Sequence, residues 1–140
     1  MEEYIKDFDG WNNEVKVLES KKFEDFFYAR EIWWCALGVN IGSEQDGKND
    51  SFERPVLILK KINSNLLLMV PLTSKISARE YRVTASILGK KSQILIEQAR
   101  TISSKRLLRK IGSLKKSTFQ EVIICFLKYI LSFQEGETPP

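Results

Sequence analysis

The sequence predicts an α+β fold, a small, strongly curved antiparallel β-barrel of the SH3-like kind with added helices. Five short runs of apolar and β-branched residues follow one another between residues 31 and 98, with polar turn-type residues between them. Helical periodicity appears before and after these runs. The 140 residues suffice for one domain with a hydrophobic core, but not for two.

The segment before the first strand is predicted to contain a helix over residues 4–20. Its apolar residues recur at spacings of three and four and form one stripe, made of Phe8, Trp11, Val15 and Leu18. An aromatic-rich linker follows this helix. We therefore assign residues 1–29 to an N-terminal helix and linker that pack on or beside the main domain.

The five predicted strands differ in burial, and a long polar loop separates the first two. The third run is continuously apolar, which is typical of a central strand buried on both faces. The loop over residues 40–53 is rich in Gly, Ser, Asn and Asp, and loops of this length are often functional. The predicted strands cover residues 31–39, 54–62, 66–72, 80–85 and 92–98.

Two helices are predicted after the strands. Residues 103–111 predict a short internal helix, capped by Ser103 or Ser104 and ended near Gly112. Residues 117–132 predict a C-terminal helix, because their apolar side chains recur at helical spacing. The barrel domain is thus assigned to residues 30–132, and residues 133–140 are predicted to be a disordered tail.

Several function classes are disfavoured by composition. The chain has no histidine, so acid–base chemistry falls to Arg, Glu, Thr, Ser or Tyr. Cys35 and Cys125 both lie in apolar runs, which predicts buried free thiols rather than a metal site, and no cofactor is expected. No secretory signal pattern is present, and the most apolar run (residues 122–127) is far shorter than the roughly 20 residues of a membrane span. We therefore expect a cytoplasmic protein that does not contact a membrane.

Charge is distributed unevenly along the chain. Residues 1–53 carry 6 basic and 13 acidic side chains, whereas residues 54–140 carry 16 basic and 5 acidic ones. A basic C-terminal part suits a polyanionic ligand such as RNA. The alternative is a solvated basic surface with no ligand.

Polar side chains gather where the predicted strands begin or end, and these positions form the candidate site. Arg54 begins the second strand, and its guanidinium could stabilise a phosphate; it could instead pair with Glu53 or Glu44. Thr73 ends the third strand, where its hydroxyl could bind a phosphate oxygen or satisfy a turn. Glu97 ends the last strand as a possible general base, or as a partner in a salt bridge.

Trp33 and Trp34 are adjacent in the first strand, so their side chains point to opposite faces. One should enter the core, and the other is then free to stack on a base or to join an interface.

The segments from Arg30 to Leu114 resemble the MazF/PemK family of toxin endoribonucleases in their residues and in their order along the chain. The resemblance rests on the whole set, since Arg-Pro-Val alone is weak. The matching segments are Glu31-Ile32-Trp33-Trp34, Gly42-Ser43-Glu44-Gln45, Arg54-Pro55-Val56-Leu57, Pro71-Leu72-Thr73-Ser74, Gln98-Ala99-Arg100-Thr101-Ile102 and Ile111-Gly112.

This resemblance implies a sequence-selective, metal-independent endoribonuclease that acts as the toxin of a type II toxin–antitoxin pair. Family members cleave single-stranded mRNA by attack of the ribose 2′-OH, which leaves a 2′,3′-cyclic phosphate and a 5′-OH end. They form homodimers, and an antitoxin protein blocks the RNA groove. The family's essential Arg corresponds to Arg54, as phosphate stabiliser and possible general acid. Its essential Thr corresponds to Thr73, which binds phosphate.

The general base varies within the family. In one branch it is an acidic residue just before the Gln of the last core strand, the place of Glu97. That branch also has an Arg where this chain has Leu95 and a His where it has Ser43, so Glu44 is a competing candidate. The residues assigned to RNA binding are Ser43, Glu44, Gln45, Lys48, Ser74, Lys75, Arg79, Arg82, Gln98 and Arg100.

Two other functions remain compatible with the sequence. A member of this fold could act as a non-catalytic toxin that binds a protein, although the presence of both Arg54 and Thr73 argues against it. A general RNA-binding protein would bind RNA in a salt-sensitive way without cutting it.

Overall fold

A computed structural model describes residues 3–49 and 52–132 of the chain. It contains two α-helices, seven β-strands and two single turns of 3₁₀-helix over Ile96–Gln98 and Ser104–Arg106. The predicted tail over residues 133–140 lies outside the described residues. The elements are α1 (Phe8–Ser20), β1 (Glu31–Ala36), β2 (Glu53–Lys61), β3 (Leu66–Thr73), β4 (Arg82–Ile87), β5 (Lys90–Leu95), β6 (Arg100–Ser103), β7 (Leu107–Ser113) and α2 (Lys116–Leu131).

The strands form one antiparallel sheet in the order β4-β5-β3-β2-β1-β7, and β6 joins it by pairing with β3. Strand β3 changes partner along its length, because its first half pairs with β6 and its end pairs with β5. A register shift between Ile58 and Lys60 adds a bend to the β2–β3 pair. Together these irregularities curl the sheet into a half-barrel, which confirms the predicted fold class.

Strand β2 is buried on both faces, and its side chains alternate between two hydrophobic clusters. Val56 and Ile58 belong to the inner cluster with Trp33, whereas Leu57 lies in the outer cluster with Val122 of helix α2. Because the central strands are buried on both faces, successive residues in them are apolar, and their sequences contain continuous apolar runs.

The prediction of a helix over residues 103–111 is wrong. Only Ser104–Arg106 form a single 3₁₀ turn; Ser103 ends β6, and residues 107–111 belong to β7, which pairs with β1. The Ser-Ser start and the paired leucines resemble a short helix, but β1 offers an open row of backbone donors and acceptors, and that long-range pairing prevails. Strand β6 was not predicted, and the last predicted strand ends at Leu95.

Helix α1 begins at Phe8, later than predicted, and packs on its own barrel. Asp7 caps it by accepting a hydrogen bond from the Gly10 N–H at 2.8 Å. The Trp11 indole lies against Gly38, whose φ is +78° and where a Cβ would fall 1.9 Å from the indole. Glycine is therefore required at this contact, both for its backbone angle and for the space it leaves.

The remaining sequence expectations concern the tryptophans, the cysteines and α2. Trp33 is 1% exposed and Trp34 is partly exposed, as their alternation predicted. Both cysteines are free thiols, but only Cys35 is buried as predicted, because Cys125 is partly exposed on α2. Helix α2 itself agrees with the predicted C-terminal helix. No helix within residues 3–49 or 52–132 is long and apolar enough to cross a membrane.

Candidate active site

Arg54 lies at the start of β2 with only 7% of its surface exposed. Its Nε donates to the carbonyl oxygen of Asp46 at 2.7 Å, and Nη1 donates to the carbonyl oxygen of Leu72 at 3.3 Å. Burial lowers the pKa of the guanidinium, and the nearby Asp46 carboxylate partly opposes that shift. The predicted alternative, an ion pair with Glu53 or Glu44, does not form, because Arg54 is held by carbonyl oxygens instead.

The polar loop between β1 and β2 closes over Arg54 and is fastened by Gln98. The Gln98 amide accepts from the Gln45 N–H at 3.1 Å and donates to the Ser43 carbonyl oxygen at 3.1 Å. With its amide oxygen facing Arg54, Gln45 accepts from Nη2 at 2.8 Å and from Nε at 3.0 Å. Gln45 and Gln98 thus organise the loop around the guanidinium.

Thr73 lies half-buried at the end of β3, and Ser74 follows it exposed. The Thr73 Oγ1 accepts from the Lys75 N–H at 3.2 Å, which is the turn role expected as the alternative to phosphate binding. The two roles are compatible, because a hydroxyl that accepts one hydrogen bond can still donate another.

Two cavities of about 310 Å³ each meet at Thr73. The first is lined by Arg54, Thr73 and Ser74 together with Trp34 and Lys48. Six other predicted site residues line the second cavity beside Thr73, namely Ser43, Gln45, Lys75, Arg79, Arg82 and Gln98. The structure therefore brings the predicted Arg and Thr to one cavity and a basic cluster to the next.

Glu97 is engaged in an ion pair with Arg82. The Arg82 Nε donates to Glu97 Oε1 at 3.1 Å, Nη2 donates to the same oxygen, and Nη1 donates to Ser77 Oγ at 2.8 Å. The other carboxylate oxygen, Oε2, is buried and has no hydrogen-bond partner within the described part of the chain. Glu97 does not line either cavity that contains Thr73; it lines a third one of about 230 Å³ with Glu44 and Arg100.

Glu44 is the other candidate base, and it shares a cavity with Arg54. This cavity of about 880 Å³ lies between the N-terminal segment and the β1–β2 loop. Glu44 is exposed, and its Oε1 accepts from the Ile41 N–H at 2.9 Å. Arg100 lies farther from the centre, where its Nη1 approaches Asn40 Oδ1 at 3.5 Å.

Sequence reasoning missed two acidic residues at the site. The Asp46 carboxylate accepts from the Asn40 N–H at 2.7 Å, while its carbonyl oxygen binds Arg54. Glu53 lines the Arg54–Thr73 cavity and binds Arg109 through two hydrogen bonds of 2.8 and 3.0 Å, which lower the pKa of its carboxyl. Both residues directly neighbour a predicted motif, which is the only local signal the sequence offers for them.

Comparison with known proteins agrees with this arrangement. A sequence model of PemK-like, MazF-like toxins of type II toxin–antitoxin systems matches residues 28–130. A search by sequence of the curated proteins finds no match.

Solved structures resemble the chain in fold at low sequence identity. The MazF structure from Deinococcus radiodurans is 22% identical, with a TM-score of 0.63, over 76% of this chain and 98% of that one. The toxin MazF-mt6 of Mycobacterium tuberculosis is 20% identical, with a TM-score of 0.58, over 74% and 100% of the two chains. An endoribonuclease in complex with its cognate antitoxin, from mycobacterial species, is 12% identical, with a TM-score of 0.58 over 78% and 100%.

The family match covers most of the chain, including the β1–β2 loop, the strand ends and the two cavities that meet at Thr73. The fold is that of solved MazF structures. The chain therefore belongs to the PemK-like, MazF-like toxin family of type II toxin–antitoxin systems.

Proposed function

We propose that this protein is a metal-independent endoribonuclease that cuts single-stranded RNA and acts as a toxin in the cytoplasm. The observation that carries the proposal is that Arg54 and Thr73 line one cavity, with a basic cluster in the next. The cluster supplies charge along the path of an RNA backbone, and the first cavity supplies donors for one phosphate. Single-stranded RNA fits best, because its unpaired bases can turn away from the backbone and be read.

In the proposed reaction the ribose 2′-oxygen attacks the adjacent phosphorus. A 2′-O–P bond forms and the P–O5′ bond breaks, which leaves a 2′,3′-cyclic phosphate and a 5′-OH end. Arg54 stabilises the charge that develops on the phosphate oxygens, and the Thr73 hydroxyl donates a hydrogen bond to one of them. Burial lowers the pKa of Arg54, which favours its donation of a proton to the leaving 5′-oxygen.

A base must accept the 2′-OH proton, and we assign this role to Glu44 in preference to Glu97. Glu44 is exposed and shares a cavity with Arg54. Neither glutamate lines a cavity with Thr73, but Glu97 is paired with Arg82, whereas Glu44 makes no ion pair within the described residues. If Glu97 accepted the proton, Arg82 would lose its ionised partner.

The partner of this protein is proposed to be an antitoxin protein, and the protein itself is proposed to be a homodimer. Support for the antitoxin comes from the family match and from the similarity in fold to the solved MazE–MazF structures of Deinococcus radiodurans. The basic cluster that would bind RNA suits an acidic stretch of antitoxin equally well, so one surface would explain both binding and inhibition.

The test is RNA cleavage in EDTA. The purified protein is incubated with a long single-stranded RNA beside Arg54→Ala and Thr73→Ala, and cuts are mapped by primer extension and end chemistry. Thr73→Ser keeps the hydroxyl, and Thr84→Ala removes an exposed threonine on β4 as a matched control. Discrete cuts with cyclic phosphate and 5′-OH ends are expected from the wild type, Thr73→Ser and Thr84→Ala.

Loss of those cuts in Arg54→Ala and Thr73→Ala, with folding retained by circular dichroism, would support the proposal. Intact RNA with a folded wild-type protein would refute it and favour the non-catalytic alternative. Salt-sensitive binding of intact RNA would point instead to a general RNA-binding module.

A further inference from the structure

The family match begins at residue 28, yet residues near the N-terminus reach the candidate active site. The Lys6 ammonium donates to the carbonyl oxygen of Gly42 at 3.1 Å and to that of Asn40, and it pairs with the Asp46 carboxylate at 3.3 Å. These three acceptors all belong to the β1–β2 loop. One side chain thus holds, by two hydrogen bonds and an ion pair, a loop more than thirty residues away in sequence.

The Asp46 carboxylate is fixed from two directions. Its Oδ2 accepts from the Tyr4 hydroxyl at 2.9 Å and faces Lys6, while its Oδ1 accepts from the Asn40 N–H at 2.7 Å. Only 12% of the Asp46 side chain is exposed, against 21% for Lys6. A carboxylate so enclosed needs its cationic partner, because an unpaired buried charge is costly.

Asp46 also provides a main-chain oxygen that orients Arg54. The Asp46 carbonyl oxygen accepts from Arg54 Nε at 2.7 Å. A displacement of Asp46 therefore displaces an acceptor of the guanidinium directly, with no other side chain between them.

We infer that residues 4–6 are part of the active site, and that Tyr4, Lys6 and Asp46 are positioning residues that hold Arg54 in its reactive place. This rests on the proposed function. Loss of Lys6 would leave the Asp46 carboxylate without its cation and two loop carbonyls without their donor. The loop would then relax outward and take the Asp46 carbonyl away from Arg54. A shift of this kind lowers the rate of the chemical step while the RNA contacts in the basic cluster remain.

The first test is steady-state cleavage by Tyr4→Phe and Lys6→Met in the full chain. We expect kcat to fall about tenfold for Lys6→Met and less for Tyr4→Phe, with KM changed by less than about twofold. Lys6→Arg keeps the charge, so its kcat should lie within about threefold of wild type. The matched controls are Tyr28→Phe and Lys16→Met, whose exposed side chains make no hydrogen bond within the described residues and line none of these cavities.

A second measurement reads the position of Arg54 without any cleavage. The Arg54 Nε–H signal in a ¹H–¹⁵N spectrum is assigned by its loss in Arg54→Ala, and its solvent exchange is measured. The hydrogen bond to Asp46 should protect this proton, and Lys6→Met should speed its exchange about tenfold relative to Lys16→Met. A general loss of stability would speed exchange of β-sheet amides as well, so those amides serve as the internal reference.

The outcomes separate the inference from the proposed function. Lower kcat and faster exchange in Lys6→Met, with Tyr28→Phe and Lys16→Met unchanged, would support the inference. Wild-type kcat and unchanged exchange in both Lys6→Met and Tyr4→Phe would overturn it and leave the ribonuclease proposal intact. Faster Nε–H exchange in Lys6→Met, together with no cleavage by the wild type, would overturn the ribonuclease proposal but support the link between Lys6 and Arg54.

Discussion

Replacing Glu97 by Gln separates two roles for this carboxylate, proton acceptor or structural ion pair. The substitution keeps the shape of the side chain and removes its charge. In the structure Glu97 is bound to Arg82, and their side chains are 23% and 10% exposed. An ion pair enclosed to this extent lies between exposed pairs, which contribute below about 1 kcal/mol, and fully buried ones, whose breakage costs about 3–5 kcal/mol.

We therefore expect Glu97→Gln to lower the free energy of unfolding by about 1–2 kcal/mol, and Tm by about 3–8 °C. Arg82 keeps its hydrogen bond to Ser77, which limits the loss. If Glu97 only supports the fold, kcat should stay within about threefold of wild type and the pH–rate profile should be unchanged. Glu44→Gln, in contrast, should lower kcat about 10²–10⁴-fold.

The assay is cleavage of a labelled single-stranded RNA between pH 5 and pH 9, with thermal unfolding of each variant measured in parallel. Glu121→Gln on the exposed face of α2 controls for the loss of one negative charge. A fall of kcat by 10²-fold or more in Glu97→Gln, with Tm unchanged, would refute this reasoning and return the base to Glu97.

Three further predictions concern stability and RNA affinity. Gly38→Ala should destabilise the protein by about 2–4 kcal/mol in urea unfolding, against about 1 kcal/mol for Gly89→Ala, because both have positive φ but only Gly38 meets an indole. Hydrogen bonds from its arginine partner lower the pKa of Glu53, so it stabilises the fold above the ordinary glutamate pKa. That contribution to stability is lost as pH falls through the lowered pKa of Glu53. The free energy of unfolding of Glu53→Gln should therefore depend less on pH between pH 7 and pH 3 than that of the wild type. Lys75→Ala should weaken RNA binding and reduce its salt slope by about one, measured by fluorescence anisotropy, whereas Lys128→Ala on α2 should do neither.

Much of the sheet could be predicted because its central strands are buried on both faces. Runs such as residues 66–72 have almost no polar residue, and few structures other than a central strand accommodate them. Strand β7 could not be predicted, because its sequence is locally compatible with a helix and its conformation is set by pairing with β1. That pairing joins residues far apart in the chain, which local patterns do not report.

In the candidate site, too, local sequence patterns indicate some residues, whereas other contacts form only when distant parts of the chain come together. Arg54 and Thr73 could be proposed because each marks an end of a strand. Gln98 holds the β1–β2 loop through a hydrogen bond with Gln45, which is 53 residues away in the chain. Tyr4 donates to Asp46, which is 42 residues away. Local sequence patterns do not report such contacts. Glu97 was predicted to end the last strand, but it lies in the 3₁₀ turn Ile96–Gln98 that follows β5, and only the folded chain shows that its charge is matched by Arg82.

Two of the oxygens that hold Arg54 are main-chain carbonyls, those of Asp46 and Leu72, and a third is the side-chain oxygen of Gln45. A carbonyl oxygen is present whatever side chain its residue carries, so substitution does not delete these two acceptors. Side chains of the β1–β2 loop other than Asp46 and Gln45, which hold the loop and the guanidinium, can therefore change while Arg54 keeps its main-chain acceptors. Under the proposed function, the choice of RNA target can then change separately from cleavage.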